Sequence, residues 1–452
     1  MADDSLDDLF AIDRDVARAF SALARWRARL ATDPEGCADE DPFFGLRRVA
    51  AKSTADALGQ YRASVADEAL RDALCRWVQT LVLSRIELVD DLAHARAAAE
   101  PSGRFEGDPP KRVNWREAWR GVPFSKTSAE ARLWLRAAAD AAPPLASLRR
   151  NRAAKRIEVA HRMGRGHPWD LLLPVTVASL RDVAGRLLDE TEDLWRAEQK
   201  ASLGEASDGA AALHLAVARD ASEGWPSRLS AGWLEAVFGP GASGLPIQLA
   251  ALPRPVGASS FARALYSFGH AARIAMVPAS LPFALSREPA FVSAHRLGFV
   301  FGSLASDTQL HLRVLQQGRR RAAAQARALA RTALLEARLH AARTLLGDDA
   351  ASAPADLFAE LTERLFGLPL DARFCGAWPV ARDDEPARLV ALLQARSARD
   401  ELRDRFDVDW FRNPRAWAHL RGSTGMAREP VDERALLAAV AGLARAFEEA
   451  LG

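Results

Sequence analysis

Lysine is nearly missing from this chain. It occurs only at Lys52, Lys111, Lys126, Lys155 and Lys200, so arginine supplies almost all of the 61 basic residues. Tyrosine is scarcer still: Tyr61 and Tyr266 stand against 12 tryptophans. The three cysteines, Cys37, Cys75 and Cys375, are odd in number and far apart. That spacing offers neither a disulfide framework nor a CxxC metal pair, and it suits a reducing, cytoplasmic compartment. Glycine (28) and proline (24) are too few for a collagen-like or low-complexity chain. No charge of one sign prevails, since 59 acidic residues leave a net charge of +2. A nucleic-acid binder would show a basic excess or stripe. The start, MADDSLDDLF, lacks the basic region and apolar stretch of a signal peptide. The most apolar run, Leu171 to Leu180, is far too short to cross a bilayer. Nucleic acid and membrane are therefore not expected as partners. A Gly-rich phosphate loop, a GxSxG elbow and an EF-hand pattern are also missing.

What is there is helix. Alanine, leucine, arginine and glutamate dominate most long segments, and all are good helix formers. The 452 residues amount to roughly three domains or one large fused unit. Apolar residues at helical period predict helices over 6–31 and 64–99. Pro and Gly punctuate the segment from Pro101 to Pro110. We place a boundary there, between an N-terminal helical lobe (1–110) and a longer helical region (111–452). A helix over 128–141 begins behind a Thr127-Ser128 cap and is expected to stop before Pro143-Pro144. Further helices are expected over 146–164, 176–202, 259–276, 290–315, 318–346, 354–366, 385–406 and 431–450. Only 246–252 (PIQLAAL) offers a strand. The fold class expected is all-α, with at most this minimal β element. No fixed-period repeat or sustained heptad is present.

One stretch carries chemistry. The segment 259–304 opens with a helix whose apolar stripe is Phe261, Leu265, Phe268, Ala272, Ala275 and Met276. Tyr266, His270 and Arg273 fall on the other side. Tyr266 and His270 are four residues apart and so share a face, the spacing of the two ligands in an HExxH helix.

Tyr266 to His270, YSFGH, resembles the HExxH element of the M3 and M3-like oligopeptidase family of zinc metallopeptidases, where the motif reads HE-(F/A/L)-GHA. Phe268, Gly269, His270 and Ala271 match it. Tyr266 stands at the first ligand position and Ser267 at the general-base position. Leu281-Pro282-Phe283 resembles the family's linker step, and His295 takes the register of the third ligand. Gly298 to Leu304 is similar to the aromatic stretch that follows in the family. Residues 387–415 resemble its terminal helix and Arg-Asn-Pro turn, with Leu389 where a substrate-side tyrosine is expected. The resemblance spans about 110–420. It implies a two-lobed helical architecture around a cleft.

The departures have physical consequences. In the intact family two His and one Glu hold zinc, and the Glu after the first His takes a proton from the zinc-bound water. A serine hydroxyl is too weak a base for that at neutral pH. A tyrosine ligand must ionise from a reference pKa of about 10. Losing the downstream tyrosine removes an oxyanion stabiliser. The resemblance therefore implies a catalytically inactive homologue with a degenerate cleft of Tyr266, Ser267, His270, His295 and Leu389. It would carry no cofactor. It would bind a peptide or protein segment, or partner a related active peptidase. The alternative is a metalloenzyme with a reshaped Tyr266/His270/His295 site for zinc or another transition metal. A third reading is a structural helical protein with a closed cleft. If the register holds, the three side chains lie within about 6 Å of one another.

Other features read as structural. Arg319-Arg320-Arg321 is a cationic helix start. His94, His161, His214, His311, His340 and His419 sit singly, as surface or core-edge residues. Trp115 with Trp119, and Trp410 with Phe411, read as core packing.

Overall fold

The computed structural model describes residues 9–61, 65–173, 175–203, 206–218, 233, 236–239, 245, 247, 258–347, 355–375, 377, 384–422 and 432–452. The architecture is all-α. Helices account for nearly all regular structure, and none of those described is long and apolar enough to cross a membrane. Strands β1 (Gly103–Phe105) and β2 (Lys111–Val113) pair antiparallel, with Arg104 opposite Arg112. β1 falls in the Pro/Gly-punctuated segment and β2 follows directly after it. The strand expected over 246–252 lies almost wholly outside the described residues, and Ile247 within it is not in a strand.

Several expected helices are cut or joined, each for a visible reason. The helix expected to stop at 141 runs from Ser128 to Arg162 through both prolines. A proline inside a helix costs about 3 kcal/mol. Here the flanking turns are buried at Ala138, Ala139, Ala141, Ala142 and Leu145, and that packing prevails. The 64–99 segment divides at Glu87 into Val65–Ile86 and Leu88–Ala99. Glu87 is buried and draws Arg27, Arg152 and Arg156. The 176–202 segment divides at Thr191 into Val177–Glu190 and Glu192–Leu203. There the fully buried Arg338 takes the Leu188 carbonyl (2.8 Å), the Thr191 hydroxyl (2.7 Å) and Glu192 (2.6 Å). The 290–315 segment becomes Val292–Gly302, a short 3-10 turn over Ser303–Ser306, and Thr308–Arg313. Ser303 and Ser306 donate back to the carbonyls of Val300 and Ser303, and Asp307 caps the next helix. Such side chains compete with the helical ladder.

Three hydrophobic cores organise the chain. The largest gathers the long Ser128–Arg162 helix with Val177–Glu190, Arg319–Leu346, Glu385–Phe406 and Glu433–Leu451. A second holds the helices up to residue 95, joined by Val159, Leu171 and Ala284. The third contains Phe261, Leu265, Phe268, Leu297, Phe301 and Trp410. It is built on the crossing of helices Ala258–Ala275 and Val292–Gly302.

The segment between those two helices docks on the second core. Buried Asp13 accepts from the backbone N–H groups of Phe283 and Ala284, both at 2.8 Å. Trp77 donates to the Arg287 carbonyl at 2.8 Å. Phe20, Trp77 and Phe283 pack ring to ring, with centroids 5.0–5.6 Å apart. The chain then enters the Val292–Gly302 helix through Phe291, held at φ 53°, a left-handed conformation rare for a bulky side chain.

Glycine permits the crossing itself. A Cβ on Gly269 would sit 2.5 Å from the Leu297 carbonyl oxygen and 2.8 Å from Phe301 Cδ2. A Cβ on Gly298 would sit 2.9 Å from the Tyr266 ring. Gly269→Ala should therefore destabilise the protein by about 1–3 kcal/mol, although alanine is intrinsically the better helix former by about 0.5–1 kcal/mol. Urea denaturation reads this, and an unchanged or raised midpoint would refute the close crossing.

Candidate functional site

The crossing brings three sequence-predicted residues together. Tyr266 and His270 stand one turn apart, with ring centroids at 6.2 Å. His295, from the facing helix, lies 5.0 Å from His270 and 6.2 Å from Tyr266 by the same measure. The Tyr266 hydroxyl is 2.5 Å from His295 Nδ1. Ser267 is on the same helix but exposed. Leu389 is not part of the group: it is fully buried in the largest core.

The Glu385–Phe406 helix instead presents Asp384 and Arg388, four residues apart and so on one face. Asp384 Oδ2 is 3.3 Å from His295 Nε2 and 2.7 Å from Arg388 Nε. The Arg388 guanidinium lies 5.9 Å from the Tyr266 ring centroid. Glu385 and Leu389 share the opposite register and turn inward. Fully buried Glu385 bonds to His340 Nδ1 and lies 3.7 Å from Arg343. His340 in turn packs on Phe299, which packs on Tyr266.

The hydrogen bonds assign their own direction. Burial works to raise the Asp384 pKa, but the His295 bond and then the Arg388 guanidinium together hold its carboxyl far below the ordinary carboxylate range. Asp384 is therefore ionised and can only accept. His295 then carries its proton on Nε2, and its Nδ1 accepts from the Tyr266 hydroxyl. Burial lowers the His295 pKa, with the Asp384 bond opposing, so the ring favours its neutral form. His270 is pushed down to about 4, by burial first and then by His295 and Arg388. Burial acts against Arg388, but Tyr266, Asp384 and Glu385 raise its pKa overall.

The result is a chain running from phenol to imidazole to carboxylate, closed by a guanidinium. In that direction His295 can take the Tyr266 proton, with Asp384 stabilising the imidazolium. Residue 267, on the exposed side of the same helix, is a serine and carries no carboxylate. The atoms available to a metal are the Tyr266 hydroxyl oxygen and nitrogens of His270 and His295. The described residues contain no group of three His, Cys, Asp or Glu side chains placed to hold an ion.

Sequence reasoning missed Asp384 and Arg388. The sequence does carry a signal for them, an Asp-x-x-x-Arg pair at a helix start whose arginine adjoins Leu389. Among the single histidines, His311 is fully buried, with Nε2 2.7 Å from the Ala305 carbonyl, and His214 and His340 are buried too. They lie deeper than a surface or core-edge place, because each finds a polar partner inside.

His270 gives a pH test. The unfolded chain protonates this residue near pH 6.5 and the folded chain only near 4. Between those values the unfolded state binds more protons, so stability falls as the pH drops through that window. His270→Asn removes this share. Denaturation midpoints at about pH 7 and about pH 5 should differ less in the variant than in the parent. Equal differences would contradict a buried, neutral His270.

No protein-family profile and no curated protein matches the sequence. Among solved structures, a protein assigned as oligoendopeptidase F from Bacillus anthracis str. Ames is similar in fold. The TM-score is 0.53 at 9% sequence identity, over 98% of this chain and 85% of that one. At that identity the likeness is one of fold alone, and the chain has the all-α fold of an oligoendopeptidase-type protein.

Proposed function

We propose that this chain is a non-hydrolytic relative of the oligoendopeptidase-type proteins. It would use the shared scaffold to bind a peptide or protein segment, or to partner an active peptidase. One observation carries the reading: His295, at the centre of the crossing, is already held on both sides by neighbouring side chains. Both ring nitrogens of His295 are engaged, by the Tyr266 hydroxyl at 2.5 Å and by Asp384 at 3.3 Å. The position of the general base is held by Ser267, whose hydroxyl cannot take a proton from water at neutral pH. The fold likeness supports the scaffold half of the reading.

A metal-free site belongs to the same reading. As they stand, the three residues do not offer an ion three lone pairs, because the His295 Nδ1 lone pair already accepts the Tyr266 hydroxyl proton. A second reading, a reshaped Tyr266/His270/His295 metal centre, has two observations in its favour. Asp384 holds His295 from the far nitrogen, as carboxylates do for metal-ligating histidines. His270 is also neutral at ordinary pH. That reading requires Tyr266 to lose its proton and its bond to His295.

The readings part in one experiment. Purified protein is assayed for bound metal and incubated with a mixed peptide library. The expected result is far less than one equivalent of metal and peptides recovered intact. One equivalent of metal, lost in His270→Ala, would establish the second reading. Cleavage that a chelator prevents would refute the non-hydrolytic role.

A further inference from the structure

A second concentration of charge lies outside the Tyr266 group and shares no residue with it. Four helices meet there: Leu9–Leu30, Leu88–Ala99, Trp115–Phe124 and Ser128–Arg162. Between them is a cavity of about 290 Å³ whose polar walls are Arg27, Asp91, His94, Arg116 and Arg152. That volume sits just below the usual range for small-molecule sites, about 300–1,000 Å³, so any occupant is small.

Among the described residues the wall charges do not balance. Three guanidiniums face one carboxylate, and that carboxylate is already engaged by Arg27 at 3.1 Å and Arg152 at 3.3 Å. Buried Glu87 beneath them is engaged by Arg27, Arg152 and Arg156 at 3.1–3.4 Å. Nearby Asp90 is matched by Lys155 at 2.7 Å. Arg116 donates to the Ala31 carbonyl. Arg149 donates to the Ala377 carbonyl and, from Nε, to His94 Nε2 at 3.2 Å. Among the described residues, Glu87 and Asp91 thus stand against Arg27, Arg116, Arg149, Arg152 and Arg156.

A purely structural ion network gains from being balanced, because unmatched buried charge is costly. His94 registers the excess. Burial first, then Arg149, Arg152 and Arg116, push its pKa down to about 3. Its Nε2 accepts from Arg149, so its proton sits on Nδ1. The walls remain within reach of solvent, with the Arg27 side chain 35% and the Arg152 side chain 24% exposed.

We propose that this cavity binds a phosphate group, either as the free ion or on a small phosphomonoester. Guanidiniums form charge-assisted, often paired, bonds to phosphate oxygens. The three arginines come from three different helices and so approach from different sides. A tetrahedral oxyanion can serve all three at once, whereas a flat carboxylate serves fewer. The neutral His94 repels no oxyanion and adds no carboxylate to the wall.

The test uses the full chain and thermal unfolding. Inorganic phosphate should raise the unfolding temperature saturably, while chloride and acetate at matched ionic strength should not. Arg116→Gln should weaken the apparent phosphate affinity about tenfold, the loss of one charge-assisted bond. Its own unfolding temperature without phosphate should stay near the parent's, because its described contact is a single backbone carbonyl. Arg27→Gln is the second variant and should weaken phosphate similarly. Tighter binding of glycerol phosphate than of inorganic phosphate would identify the ester as the source, and the reverse would identify the free ion. Equal shifts with phosphate and chloride, acetate acting as well as phosphate, or undiminished affinity in both variants would each overturn the proposal.

Discussion

The architecture around the candidate site depends on two helix backbones meeting through glycine. Gly269 lets the Ala258–Ala275 helix rest on the Leu297 carbonyl, and Gly298 lets the Tyr266 ring lie against the Val292–Gly302 helix. Without that proximity the Tyr266 hydroxyl would not reach His295. His295, held between Tyr266 and Asp384, recruits the start of a third helix, and Arg388 completes the chain over the tyrosine ring. The apolar side of the same crossing, Phe268, Phe301 and Trp410, is the third core. One steric constraint thus serves packing and polar arrangement together.

What the sequence disclosed, and what it withheld, follows the range of the interactions involved. Helical period, a local property, showed the all-α class and the start of nearly every long helix. The Tyr266–His270 pair was visible because it spans one turn, and His295 followed from the register of the family resemblance. Breaks at Glu87 and Thr191 were hidden, because the residues that draw those side chains inward lie 60 to 150 positions away. The continuation through Pro143 was hidden for the same reason: burial against other helices decided it. The resemblance points to Leu389, which lies in the core, and the neighbouring Arg388 is the residue that reaches the site. On a helix a step of one residue is a rotation of about 100°, enough to exchange a core leucine for a site arginine.

Buried charge is the recurring device in this arginine-rich chain. Arg338 ties together the end of one helix, the start of the next and the Arg364 carbonyl at 3.0 Å. Asp13 uses its carboxylate to receive two backbone donors from a segment 270 residues away. A guanidinium brings five donors in a planar fork, so one arginine can bind several carbonyls where a lysine would offer a single point. The scarcity of lysine and the number of multiply bonded arginines at helix junctions are consistent with each other.

The two tyrosines make the candidate site unusually addressable. Tyr61 lies in the N-terminal helical region and Tyr266 at the crossing. Fluorinated tyrosine incorporated throughout this protein would mark two positions, one remote and one bonded to His295. The remote ring is a built-in reference for the other. The protonation and contacts of a single hydroxyl within a 49.1 kDa chain become open to direct spectroscopic reading without any substitution.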